Sequence, residues 1–160
     1  MSPARSQTGP QSRALAFLRI AIGLLFLIFA EYKLTRAQFI WGGGMRGWII
    51  QFLEGGQCYP FLRPFLQRTV LTHTVFFAST VSLSELLIGL SLVSGVLVRW
   101  ASLGGLSMML TLLFASNYPG PHAAFWQYFG ASLDHSVLAL CFLTLLIAGP
   151  NQVWSLRSSR

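Results

Sequence analysis

The chain has 160 residues, of which 54% are hydrophobic and only 9% are charged, and its mean hydropathy is +0.61. An ordinary soluble domain carries about 25% charged residues, so this composition excludes a water-facing surface and predicts an integral membrane protein. The net charge of +7 is scattered between apolar runs, which argues against nucleic acid as a partner and favours arginines that meet anionic lipid headgroups at helix ends.

The polar start of the chain contrasts with the run that follows it. Residues 1–13 are rich in serine, proline and glutamine, so we predict a disordered cytoplasmic tail. An apolar run comes next, and we assign it as a first membrane span over residues 14–34. The run is long for a signal peptide and no A-x-A cleavage site follows it, so we expect the span to be retained.

Residues 35–68 form a segment that is too polar to span a bilayer. Arginine and glutamate are interspersed there with tryptophan and phenylalanine, and three consecutive glycines occupy positions 42–44. Aromatic side chains beside arginines are typical of the headgroup region. We therefore predict an interfacial segment with a short helix around residues 45–53, and we expect Trp41 and Trp48 at headgroup depth.

Three further apolar runs predict spans at residues 69–97, 100–118 and 124–148. Each is long enough to cross ~30 Å of hydrocarbon at ~1.5 Å per residue. The predicted fold class is therefore all-α: an integral membrane four-helix bundle over residues 14–156, with an interfacial loop and helix between its first two spans. Four spans place both termini on one side, and the basic N-terminus favours the cytoplasmic side of the cell (inner or plasma) membrane.

One stripe of the first predicted span combines small, aromatic and basic residues. Arg19, Gly23, Phe26, Ala30 and Lys33 follow helical spacing. Small residues allow helix backbones to approach each other closely in a membrane, so we expect this stripe to face the interior of the bundle.

Ionisable residues at membrane depth cost at least ~2.5 kcal/mol each and so need a partner or a function. Counting ~1.5 Å per residue from the cytoplasmic ends places Glu85, Asp134 and His135 in one layer near the middle of the membrane. Lys33 can reach towards that layer, whereas Arg19 lies about 10 Å away in depth. We predict that these five residues form the polar network of the membrane interior.

Two interpretations of this network stay open. Carboxylate and imidazole groups beside an apolar site suit proton exchange with a quinone, which is the candidate ligand. Alternatively, the network is fully paired and only fixes the register of the helices. His73 and His135 are weaker candidates for a haem or chlorophyll ligand, and no zinc spacing or phosphate-binding loop occurs, so we expect no metal centre.

The order of several motifs resembles the DoxX family of small four-helix membrane proteins. The first span carries LRIAIGLLF at residues 18–26, followed by AEYKL at 30–34. The second carries ELLIGLSLVSG at 85–95, followed by RWA at 99–101. The resemblance ends with AGPNQVWSL at 148–156 and covers most of the chain.

Members of that family are linked to membrane redox processes, so the resemblance implies a subunit of an electron-transport or oxidoreductase complex that contacts quinone. It also implies that Arg19, Lys33, Glu85 and Arg99 match recurrent polar positions. Two alternatives stay open: a purely structural accessory subunit of a larger respiratory or photosynthetic membrane complex, and a small transporter or channel component. In the first two cases other membrane protein subunits are the expected partners, and whether the chain is itself an enzyme is left undecided.

Overall fold

The computed structural model describes residues 9–129, 134–149 and 153–156, and within these ranges all regular secondary structure is helical. The helices, in chain order, are α1 (Pro10–Thr35), α2 (Ala37–Ile40), α3 (Gly44–Glu54), α4 (Arg63–Phe65), α5 (Thr74–Ser94), α6 (Val98–Ser116) and α7 (Asp134–Ala148). A π-helical turn at Leu66–Val70 precedes α5, and a 3-10 helix at Phe125–Phe129 precedes α7.

Three of these helices, α1, α5 and α6, are long and apolar enough to cross a membrane. They expose large apolar side chains such as Ile28, Leu87 and Leu103, which indicates a lipid environment. The described part of the fourth predicted span contains the 3-10 helix at Phe125–Phe129 and α7. The 15 residues of α7 extend about 22 Å, less than a full hydrocarbon core. Residues 130–133, which the predicted fourth span also includes, lie outside the described ranges.

The helices α1, α5 and α6 begin at positions other than those predicted, and the difference is smallest for α6, which begins at Val98 instead of residue 100. The first, α1, begins at Pro10 and so takes in four residues of the predicted tail, because proline at the first helical position already has the required φ angle. The helix α5 begins at Thr74 instead of residue 69, because the backbone leaves α-helical geometry at His73, where φ is −120° and ψ is 41°. The short helix α3 lies where the sequence predicts one.

The closest pairing of helices is between α1 and α5, which run antiparallel. A β-carbon on Gly89 would lie 2.9 Å from the backbone carbonyl of Gly23, and one on Gly23 would lie 3.0 Å from Leu92 Cβ. The backbones therefore approach as closely as two glycines allow. The whole predicted stripe from Arg19 to Lys33 is buried, which confirms that it faces the bundle.

The helices α6 and α7 form the second antiparallel pair. Phe142 of α7 is fully buried over Gly105 of α6, and its ring meets that of Phe26 edge-on with 5.2 Å between centroids. These contacts join both helix pairs in one apolar core, which also contains Ile88 and Leu92.

The segment between α1 and α5 folds back as a cap over one end of the bundle. Phe39 of α2 and Met45 and Ile49 of α3 are buried in a second apolar cluster. Tyr59 fixes this cap to the bundle, because its backbone N–H donates to the carbonyl of Phe114 at 2.9 Å. Its phenol also donates to the carbonyl of Tyr128 at 2.8 Å.

Candidate functional site

An ion pair joins α1 to α5 beneath the cap. Lys33 Nζ lies 2.5 Å from Glu85 Oε1, and the two side chains are only 10% and 6% exposed. Both residues lie on the buried faces of their helices, Lys33 after Ala30 and Glu85 between Ser82 and Gly89. Since the small residues hold the backbones together, the two long side chains meet across the interface.

Two aromatic rings from the cap cover the ammonium group. The Lys33 Nζ lies 5.0 Å from the ring centroid of Phe39 on α2 and 5.9 Å from that of Trp48 on α3. Both distances lie within the range of cation–π attraction. The lysine is therefore held by a carboxylate on one helix and by ring faces from two others.

The second oxygen of the same carboxylate has a different environment. Glu85 Oε2 is buried and accepts no hydrogen bond from any described residue. A buried acceptor left in this state costs about 1–3 kcal/mol, and more when it is charged. The Glu85 carboxylate can therefore accept a hydrogen bond from one more donor in addition to Lys33.

A cavity of about 560 Å³ lies beside this pair. Its polar lining residues are Tyr32, Lys33, Glu85, Asp134 and His135. The rest of its wall is apolar, from side chains including those of Met109, Leu112 and Leu138. The volume falls within the range of about 300–1,000 Å³ typical of small-molecule sites, which are mostly apolar with a few polar groups.

The rim of the cavity lies at the outer surface of the bundle. Ile28 and Phe29 line it and are exposed on α1, and Trp48 lines it from the cap. Since these side chains occupy the apolar outer face of α1, the cavity opens sideways towards the region where lipid tails lie. A lipid-soluble molecule can enter such a site without crossing water.

Asp134 and His135, the first two residues of α7, form the far wall. The backbone N–H of His135 donates to Asp134 Oδ1 at 2.8 Å, and His135 Nδ1 lies 3.3 Å from the same oxygen. The Asp134 side chain is 57% exposed, so it lies at the edge of the cavity. The sequence had placed it in the interior of the membrane.

Arg19 does not join this group. Its side chain is buried, and Nη2 donates to the backbone carbonyl of Trp154 at 2.8 Å and of Val153 at 3.4 Å. The backbone N–H of Leu156 donates to the carbonyl of Ser94 at 2.8 Å. Arg19 therefore fixes the C-terminal segment at the opposite end of the bundle. The predicted five-residue network is divided: four members line one cavity and the fifth has a separate partner.

A second cavity, of about 360 Å³, shares Lys33, Trp48 and Leu112 with the first. Its other lining residues include the apolar side chains of Phe39, Met45 and Phe52 from the cap. Sequence reasoning did not identify Phe39 or Trp48 as parts of the site. Tryptophan next to arginine in the interfacial segment was a signal for membrane depth only, because the fold-back of the cap depends on long-range contacts.

The remaining candidate ligands lie elsewhere. His73 is exposed immediately before α5, and its Nδ1 lies 3.2 Å from the carbonyl of Thr69. Among the described residues, no group of three or more histidine, cysteine, aspartate or glutamate side chains is placed to hold a metal ion. His135 is the only one of the two pigment-ligand candidates that lines either cavity.

Burial also affects two groups in the cap. Burial raises the pKa of the Cys58 thiol, and the nearby Arg63 offsets this only in part. Burial raises the pKa of the Tyr59 phenol as well, and the neighbouring Tyr128 and Tyr118 add to that effect. Both groups therefore stay protonated and neutral near pH 7.

Comparison of the chain with protein-family models, with curated proteins and with solved structures finds no match in any of the three.

Proposed function

We propose that the chain is a small multi-pass membrane subunit associated with a redox or electron-transfer process, and that it binds a quinone-type head group beside Lys33 and Glu85. The observation that carries the proposal is an apolar cavity, open towards the lipid-facing side of α1, whose wall contains a buried ion pair. One carboxylate oxygen of that pair accepts no hydrogen bond from a described residue. A purely structural role requires a fully paired network, whereas Glu85 Oε2 has no partner among the described residues.

The order of DoxX-like motifs supports the same proposal. Lys33 and Glu85 are two of the four positions at which the resemblance matches polar residues, and they pair with each other at the cavity. The mostly apolar wall suits a lipid-soluble ligand better than it suits a water-filled path for transport. We therefore favour a quinone contact over a transporter or channel component.

The proposal includes a four-span topology with cytoplasmic termini in the cell membrane. Arg19, Trp154 and Ser94 meet at one end of the bundle, whereas Tyr59, Phe114 and Tyr128 meet at the other. Single-cysteine labelling at Gly9 and Ser155, with the native cysteines replaced, should therefore occur from one side of the membrane. Labelling at Gly47 and His122 should occur from the opposite side. Access to Gly9 and Ser155 from different sides would contradict the topology.

Photolabelling tests the ligand directly. The purified chain in proteoliposomes is illuminated with an azido-benzoquinone that carries a decyl tail, and the labelled residues are mapped by mass spectrometry. We expect saturable label on cavity residues such as Tyr32 and Leu138, and we expect excess unlabelled decyl-benzoquinone to compete with it.

Two variants show whether the ion pair matters to this labelling. The double variant Lys33→Met/Glu85→Leu removes both charges together, so that neither remains buried alone, and should lose the saturable label. The matched control Glu31→Gln changes an exposed carboxylate on the same helix and should label like the parent. Diffuse label on lipid-facing residues such as Leu87, without competition, would contradict the proposal.

A further inference from the structure

The carboxylate of Glu85, which lines the cavity, keeps one oxygen that accepts no hydrogen bond from a described residue. Lys33 donates to Glu85 and lies against two ring faces, so its donors are largely engaged. Glu85 Oε2 has no donor among the described residues, and the Asp134 carboxylate lies at the edge of the same cavity.

A quinone and its reduced form differ in whether they can donate a hydrogen bond to the Glu85 carboxylate. The quinone presents only carbonyl oxygens, which meet carboxylate oxygens unfavourably. The hydroquinone presents O–H groups, and a hydrogen bond from such a group to a carboxylate is stronger than one between neutral partners. A donor that reaches a buried unsatisfied acceptor also removes the cost of leaving that acceptor unpaired.

We infer that this cavity binds the reduced, hydroxyl-bearing form of an alkyl quinone in preference to the oxidised form, with an O–H group donating to the Glu85 carboxylate. The inference rests on the proposed function and adds the redox state of the ligand to it. Glu85 lines the cavity, and its Oε2 is buried without a hydrogen bond from any described residue, so it is the acceptor that a ligand hydroxyl would satisfy. The inference concerns binding only, and no electron transfer within the chain is part of it.

The test uses ligand-induced thermal stabilisation of the purified full-length chain in detergent under argon. A ligand that binds only the folded state raises the melting temperature by an amount that grows with the logarithm of its concentration divided by its Kd. Three probes are compared separately: decyl-benzoquinone, its hydroquinone, and the dimethyl ether of that hydroquinone, which keeps the shape but has no donor. We expect the hydroquinone to bind about tenfold more tightly than either of the others.

A charge-neutral variant tests whether the Glu85 carboxylate causes the preference for hydroquinone. In Lys33→Met/Glu85→Gln the amide offers a donor as well as an acceptor and no charge is left unpaired, so the preference for hydroquinone should fall to about onefold or reverse in favour of quinone. Glu31→Gln should keep the preference of the parent. The dimethyl ether comparison needs no variant, so the test survives if the double variant fails to fold.

Two outcomes would overturn the inference, and they are distinguishable. Equal binding of quinone, hydroquinone and ether by the parent chain would contradict the preference for a donor while leaving the quinone-type site intact. Absence of stabilisation by all three probes would overturn both the inference and the proposed function.

Discussion

Lys33 and Glu85, 52 residues apart in the sequence, form a 2.5 Å ion pair that ties the end of α1 to the middle of α5. The pair lies between two cavities, since Lys33 lines both and Glu85 lines the larger one. Its stability and its capacity for a ligand therefore depend on the same few atoms.

Removal of one partner should be far more damaging than removal of both. Lys33→Met leaves the Glu85 carboxylate buried without its cation, and we expect a loss of ~3–5 kcal/mol in the free energy of unfolding. The double variant Lys33→Met/Glu85→Leu should recover most of that loss, because it leaves no buried charge. Unfolding in mixed micelles, followed by circular dichroism, measures both. Equal destabilisation by the single and double variants would show that the charges do not stabilise each other.

The close approach of α1 and α5 predicts strong sensitivity at Gly89. Alanine there would place its β-carbon 2.9 Å from the Gly23 carbonyl, so the helices must separate, at a cost of ~1–3 kcal/mol. Gly47 on α3 is the matched control, because nothing lies within 4 Å of its added β-carbon. Gly47→Ala should stabilise the chain by up to ~1 kcal/mol through helix propensity. If Gly89→Ala unfolds like the parent in the same assay, the helices are not packed as closely as described.

Arg19 should hold the C-terminal segment against the bundle. Arg19→Met removes a charged donor from the carbonyls of Val153 and Trp154, and such hydrogen bonds are worth ~1.5–3 kcal/mol. We expect a thiol reagent to label a cysteine at Ser155 at least ~10-fold faster in this background. Arg13→Met, which changes an exposed arginine on the same helix, should leave the rate unchanged. A labelling rate in Arg19→Met equal to that in Arg13→Met would show that the Arg19 hydrogen bonds do not hold the C-terminal segment in place.

The sequence predicted which polar residues are buried better than it predicted which of them lie together. Helical spacing identified the buried stripe from Arg19 to Lys33, and depth counting placed Lys33, Glu85, Asp134 and His135 together. Arg19 was grouped with them because an ionisable residue at membrane depth was expected to need a partner or a function. Its described partners include the backbone carbonyls of Val153 and Trp154. Since every residue has a backbone carbonyl, no side-chain pattern marks those that are used. The cap residues Phe39 and Trp48 were missed because their contact with Lys33 depends on a fold-back that local periodicity does not encode.

Alkaline pH should weaken the cap. Because burial raises the pKa of Cys58, its contribution to stability is present below the thiol's unfolded-state pKa, and it is lost as the pH rises through the higher folded-state value. We expect the free energy of unfolding to fall above pH ~8.5, and to fall less steeply in Cys58→Ala. The pKa of Tyr59 is also raised, so ionisation of its phenol should lower the free energy of unfolding in the same direction above pH ~10. Parallel pH profiles for parent and variant between pH 7 and 10 would exclude Cys58 as a contributor.

The most direct test of the quinone-type site is the ligand that the chain retains from its own membrane. The chain is purified with mild detergent, and the quinone bound per protein is measured by chromatography and mass spectrometry beside the Lys33→Met/Glu85→Leu and Glu31→Gln variants. We predict quinone enriched relative to phospholipid, approaching one molecule per chain, in the parent and in Glu31→Gln, and lost in the double variant. A quinone-to-phospholipid ratio in the parent equal to that of the whole membrane, and unchanged in the double variant, would contradict the site.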